Sequence, residues 1–131
     1  MTPKPHVLLI EDNSDLAELY ATMLHSANFM VSLAADGDSA LKILQNRQFD
    51  LIFLDLLLPD MDGLSLLKQL PQLRLADRQG PVLVLTNLVD PQLMVELKAH
   101  GAQDCFVKTE LTPDDFIQVA QAACACSQDK T

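Results

Sequence analysis

The sequence predicts an α/β protein: a doubly wound, five-stranded parallel sheet of order 2-1-3-4-5 with five helices. Three observations point there. Five short apolar runs alternate strictly with five helical patterns, as right-handed strand–helix–strand crossovers require. Three of those runs are apolar without alternation, as parallel strands covered on both faces should be. The chain has 131 residues, 49% hydrophobic and 21% charged, which is a globular composition with enough length for one core.

The elements follow in order. HVLLI (6–10) is the first strand. SDLAELYATMLHSA (14–27) sets Leu16, Leu19, Tyr20, Met23 and Leu24 at helical spacing, with Ser14 as its N-cap. MVSLA (30–34) alternates and forms a weaker strand. An Asp-Gly turn at 36–37 leads into a helix over SALKILQN (39–46). DLIFLD (50–55) is a continuous apolar strand, and GLSLLKQL (63–70) is a helix that ends or kinks near Pro71. The stretch RLADRQG (74–80) is the awkward one, a frayed helix end or a surface loop. PVLVLT (81–86) is the fourth strand. PQLMVELKAH (91–100) is a helix with proline in its first turn and Gly101 after its end. DCFVK (104–108) is the fifth strand. TPDDFIQVAQAACA (112–125) is the last helix, with Thr112 as N-cap, then proline and two acids in the first turn.

Charge narrows the function classes. Eighteen acids against nine bases give a net charge of -9, which argues against nucleic acid or an anionic membrane as a partner. The three cysteines, Cys105, Cys124 and Cys126, have no framework spacing and suit a reducing compartment. The apolar run near the N-terminus is too short for a membrane span or signal peptide, so a soluble, cytoplasmic protein is expected. The whole of residues 1–131 reads as one domain with a core over about 5–126.

In such a sheet, ligands bind beyond the carboxyl ends of the strands, where strand order reverses. Glu11 and Asp12 follow the first strand, Asp55 ends the third, Thr86 ends the fourth and Lys108 ends the fifth. The switch point lies between strands 1 and 3, so three carboxylates converge there. Carboxylates that close repel one another unless a cation joins them. Mg²⁺ fits, with Mn²⁺ as the alternative, because it takes one or two protein carboxylates and shares phosphate oxygens. The set suits phosphoryl transfer onto a carboxylate, with Asp55 as nucleophile, Lys108 and the metal balancing charge, and Thr86 as hydrogen-bond donor to the product. Asp60 and Asp62 read as turn and cap residues. His6, His25 and His100 are scattered, without a ligand partner, and read as structural or surface residues.

These pieces carry a resemblance. LLIED (8–12), AADGDSAL (34–41), FDLIFLDLLLPDMDGL (49–64), VLVLTN (82–87) and GAQDCFVK (101–108) stand in the order and spacing of a response regulator receiver domain, of the single-domain chemotaxis-regulator kind with its flavodoxin-like fold. The resemblance implies that Asp55 is the phosphoacceptor and that a sensor histidine kinase or phosphotransfer protein is the donor. It implies that Asp12 and Asp55 bind Mg²⁺ directly, Glu11 largely through water, and Leu57 through its backbone carbonyl. It also implies that Pro59 and Gly63 shape the loop after strand 3.

The departures are informative. Members of the family usually carry Tyr or Phe three residues before the strand-5 lysine; here that position is Cys105. Phe106 is one place later and points to the other face. Activation is therefore expected to use the loop after strand 4, with little aromatic rotation. Thr109 follows Lys108 where proline is common, so the chain should continue by a trans path. Asn87 crowds the approach of the phosphoryl group. Leu57 and Leu88 hold positions that help set aspartyl-phosphate lifetime, and both are apolar, which favours a long-lived phosphoryl state. The downstream partner is expected on the face made by helix 4, strand 5 and helix 5, where a homodimer is also conceivable. Two rivals remain. A phosphorylation-independent binding module is favoured by Cys105 and disfavoured by the complete acidic site. A haloacid-dehalogenase-like phosphatase wants an acid two residues beyond its nucleophile, where this chain has Leu57.

Overall fold

The structure, a computed structural model, describes residues 4–72, 79–87 and 90–128. Five parallel strands form one sheet: β1 (His6–Ile10), β2 (Met30–Ala34), β3 (Leu51–Asp55), β4 (Val82–Thr86) and β5 (Ala102–Val107), in the order β2-β1-β3-β4-β5. The helices between and after them are α1 (Ser14–Ser26), α2 (Gly37–Asn46), α3 (Gly63–Gln69), α4 (Pro91–Ala99) and α5 (Pro113–Gln128). This is the order and the alternation expected from the sequence.

The continuous apolar runs became central strands for the expected reason. Every residue of β3 and β4 is buried, whereas edge strand β2 is mostly part-exposed. Alternate side chains of the strands feed two separate core layers. Leu8, Ile10, Ile52, Leu54 and Val84 pack with α2, α3 and α4 through Leu44, Leu66 and Leu97. Val7, Leu9, Leu51, Phe53 and Leu83 pack with α1 and α5 through Leu24, Phe116 and Ala120. Each fully buried Leu, Ile or Phe contributes about 1.5–3 kcal/mol by leaving water. The strands therefore dominate the stability of the sheet that carries the site.

Element ends correct the sequence reading in four places. The N-cap of α1 is Asn13, not Ser14: Asn13 has extended backbone and its side chain accepts from Leu16 N at 3.0 Å, while Ser14 is already helical. Helix α2 starts at Gly37, two residues early, because Asp36 caps it by accepting from Ser39 N at 2.7 Å. Strand β5 begins at Ala102, since an irregularity against β4 lets the pairing skip Gln103. Lys108 lies one residue past β5, in a 3-10 turn (Lys108–Glu110). Thr112 does cap α5: its hydroxyl accepts from Asp115 N at 3.1 Å and Asp115 accepts from Thr112 N at 3.2 Å. No peptide bond among the described residues is cis. Residues 74–78 of the awkward stretch lie outside the described residues; at its end, Gln79 accepts from Phe49 N and donates to the carbonyls of Arg47 and Leu44. No described helix is long and apolar enough to cross a membrane.

Candidate functional site

Register alone brings the site together. Ile10 pairs with Leu54, so Glu11, the next residue on from β1, sits level with Asp55. The amide of Glu11 continues the ladder by donating to Ala34 O at 3.0 Å. Asp55 pairs with Leu85, and Thr86 with Val107, which puts Thr86 and then Lys108 one step beyond on the neighbouring strands. Four strand ends thus deliver two carboxylates, a hydroxyl and an ammonium to one edge of the sheet. Asp12 joins them from the turn into α1.

The distances confirm convergence. Glu11, Asp12 and Asp55 each place a carboxylate oxygen within 4.8 Å of the others. Lys108 Nζ lies 2.6 Å from Glu11 Oε1 and 3.3 Å from Asp55 Oδ2. Glu11, Asp55 and Thr86 are buried, while Asp12 is exposed at the opening. A crevice of about 300 Å³ is lined by Glu11, Asp12, Asp55, Leu57, Asn87 and Lys108. Asn13 and Leu16 complete its wall, neither of which was singled out from the sequence as a site residue. Asn13 was visible there only as a neighbour of the acidic pair; its amide lies 3.4 Å from Glu11 Oε2.

The charges do not balance within the protein. Three carboxylates against one ammonium leave two formal negative charges. The stress falls on Glu11: burial and a hydrogen bond with Asp55 push its pKa above the usual carboxylate value, and Lys108 only partly offsets this. Burial pulls the Lys108 ammonium down, but Glu11 and Asp55 outweigh it and hold its pKa above the usual lysine value. An oxygen-only donor set with surplus negative charge at the mouth of a crevice is what a small hard divalent cation requires.

Of the three rim residues, Leu57 and Asn87 line the crevice. The Leu57 side chain, however, is 62% exposed and offers no dry lid. Asn87 is exposed at the same rim. Leu88 lies outside the described residues. Cys105 packs against the α2–α3–α4 core layer, and Phe106 against the α1–α5 layer, so the two do point to opposite faces.

Asp62 caps α3 as expected, accepting from Ser65 N at 2.7 Å. Asp60 does more than turn the chain. Its two carboxylate oxygens accept from Gly37 N at 2.8 Å and Asp38 N at 2.9 Å, at the start of α2. His25 and His100 are exposed, whereas His6 joins a small cluster with Ser32 and Arg47 at the opposite end of the sheet.

Comparison with known proteins places the chain in a family. The chain matches the model of the response regulator receiver domain over residues 7–121. It is 36% identical over 102 residues to the cell cycle transcriptional regulator CtrA of Caulobacter vibrioides, covering 78% of this chain and 43% of CtrA. It is 29% identical over 111 residues to the transcription factor SKN7 of Saccharomyces cerevisiae, covering 85% of this chain and 17% of SKN7. The chain spans roughly half or less of the length of these curated relatives. Among solved structures, the receiver domain of the Francisella response regulator 1452 superposes with a TM-score of 0.85 at 26% identity, over 95% of this chain and 99% of that one. The receiver domain of the sensor histidine kinase PA1611 of Pseudomonas aeruginosa, which holds a magnesium ion in its own cleft, has a TM-score of 0.82 and shares the fold at 24% identity, over 93% of this chain and 98% of that one. With the sheet order, the acidic crevice and the family match in agreement, this chain belongs to the response regulator receiver domain family of two-component systems.

Proposed function

We propose that Asp55 accepts a phosphoryl group from a sensor histidine kinase or phosphotransfer protein, in a Mg²⁺-dependent reaction, and that this alters a protein-binding surface. One observation carries the reading. Asp55 stands in a crevice with Glu11 and Asp12 close by and the Lys108 ammonium 3.3 Å from its own carboxylate. An Asp55 oxygen attacks the donor phosphorus; an O–P bond forms as the P–N bond of a phosphohistidine breaks, and that electron pair returns to the imidazole nitrogen. Lys108 meets the charge on the transferred oxygens, and Thr86, at the end of β4, donates a hydrogen bond to them. Mg²⁺, held by Glu11, Asp12, Asp55 and the Leu57 carbonyl, would supply electrostatic stabilisation of those oxygens. A receiver served by such a kinase would act in the cytoplasm.

The face built from α4, β5 and α5 is the proposed reader of the phosphorylated state. It borders Thr86 and Lys108, and Val95 of α4 lies exposed on it. A downstream protein, or a second copy of the chain, would dock there.

Incubation with acetyl phosphate and Mg²⁺ tests the reading by intact mass. A phosphoryl adduct is expected on the wild-type protein, none without metal, and none on Asp55→Asn. If no donor labels the wild-type chain, the reading fails and the fold serves as a phosphorylation-independent binding module.

A further inference from the structure

The loop between β3 and α3 is fastened at three points. At its base, Gly63 N donates to Leu56 O at 2.7 Å. One step out, Leu57 and Asp62 pair as an antiparallel bridge. At its tip, both oxygens of Asp60 are spent on α2, whose first turn would otherwise present unpaired amides. Asp36 satisfies the third amide of that turn from α2's own side, through Ser39 N at 2.7 Å. Met61 packs over the contact: a Cβ on Gly37 would lie 2.5 Å from its side chain, which would have to swing aside. Leu57 is thus the inner strand of a small hairpin whose tip is pinned to a different element.

We propose that Asp60 is a positioning residue for the metal: by clamping the hairpin tip to α2, it fixes the Leu57 backbone at the crevice and thereby sets the affinity for Mg²⁺. The inference rests on the Mg²⁺ reading above. Leu57 bears an exposed side chain that cannot anchor it from inside the core. Its amide reaches Asp55 Oδ1 at 3.4 Å, and the strand it belongs to is held by the bridge to Asp62, which closes a four-residue tip, 58–61, that contains Asp60. Releasing the tip frees the bridge to breathe, and a carbonyl ligand that wanders binds a metal of strict geometry poorly.

The test measures Mg²⁺ affinity calorimetrically in wild type, Asp60→Ala, Asp60→Asn and Asp36→Ala, with stability measured in parallel. Asp60→Ala removes both acceptors and should weaken Mg²⁺ binding roughly 10-fold, the low end for an outer partner of a metal ligand. Asp60→Asn keeps one acceptor and should fall between that variant and wild type. Asp36→Ala uncaps the same helix without touching the hairpin, so it should lower stability and leave Mg²⁺ affinity within about twofold, inside the scatter of an unperturbed site. Amide exchange in the metal-free protein should quicken at Gly37, Asp38 and Gly63 in the Asp60 variants alone. Unchanged affinity in both Asp60 variants overturns the proposal, as does an equal loss in Asp36→Ala, which would assign the effect to helix stability. Absence of Mg²⁺ binding in wild type overturns the underlying reading itself, a result distinct from either.

Discussion

Glu11, Asp55 and Lys108 form a triad, its two carboxylates buried, in which one cation serves two anions. Burial makes that imbalance costly, because carboxylates away from water cannot be screened. The raised pKa of Glu11, caused first by burial and then by Asp55, shows where the repulsion is absorbed. Removing one of the two charges should therefore relieve the metal-free protein. Asp55→Asn is expected to be more stable than wild type without Mg²⁺, by on the order of 1 kcal/mol. Added Mg²⁺ should stabilise wild type more than the variant and narrow the gap. Urea unfolding with and without Mg²⁺ measures both; a variant less stable than wild type in EDTA would contradict the repulsion. Tyr20, buried on the α1–α5 side, feels the same three charges, although burial is the first cause of its raised pKa; Cys124 stands outside this chemistry. Burial pushes the Cys124 thiol up to about 11, which leaves it protonated and inert at neutral pH, like any small core residue.

At the scale of elements, strands were more legible than the contacts between helices and loops. An unbroken apolar run such as Leu51–Leu54 has few alternatives to a central strand, and register then fixes the neighbours of Asp55 without further information. Caps were less legible. Asn13 and Ser14 are both good N-cap types, and only backbone conformation decides between them. The Asp60 clamp was invisible as a partnership, because its partners lie 22 and 23 positions away on another element and the sequence pattern carries no such spacing. The clamp has a pH signature. Amide donors, Gly37 first and Asp38 next, hold the Asp60 carboxyl below the usual range. A depressed folded-state pKa contributes stability that is fully present above the unfolded value and is lost as pH falls through the folded value. The stability lead of wild type over Asp60→Asn should accordingly hold steady from neutral pH to about 5 and shrink below about 4. Urea titrations of both proteins across that range decide it, and a lead that persists undiminished in acid would rule the clamp out as its source.

At the scale of the whole molecule, the sheet is a wall between two cores, and the switch must work around it. Phe106 belongs to the α1–α5 layer, with Phe53 and Phe116, whose rings lie 4.8 Å apart, and Tyr20, stacked on Phe116 at 4.5 Å. Cys105 occupies the α2–α3–α4 side, where an aromatic would have stood beside α4. A ring cannot cross a closed sheet without breaking its ladder, so Phe106 has no route to replace the missing aromatic. Helix α4 packs on the Cys105 side of this wall through Leu93 and Leu97. That helix is lightly anchored, since Leu97 is its one buried residue. Phosphorylation should then be read out as a displacement of the α4 N-terminal turn, with the aromatic stack of α1 and α5 unmoved. Structures with and without a phosphoryl mimic such as beryllium trifluoride compare these directly. The expected difference is confined to the α4 side of the wall, and a Phe106 ring that rotates towards Thr86 would show that the signal leaves by the other layer.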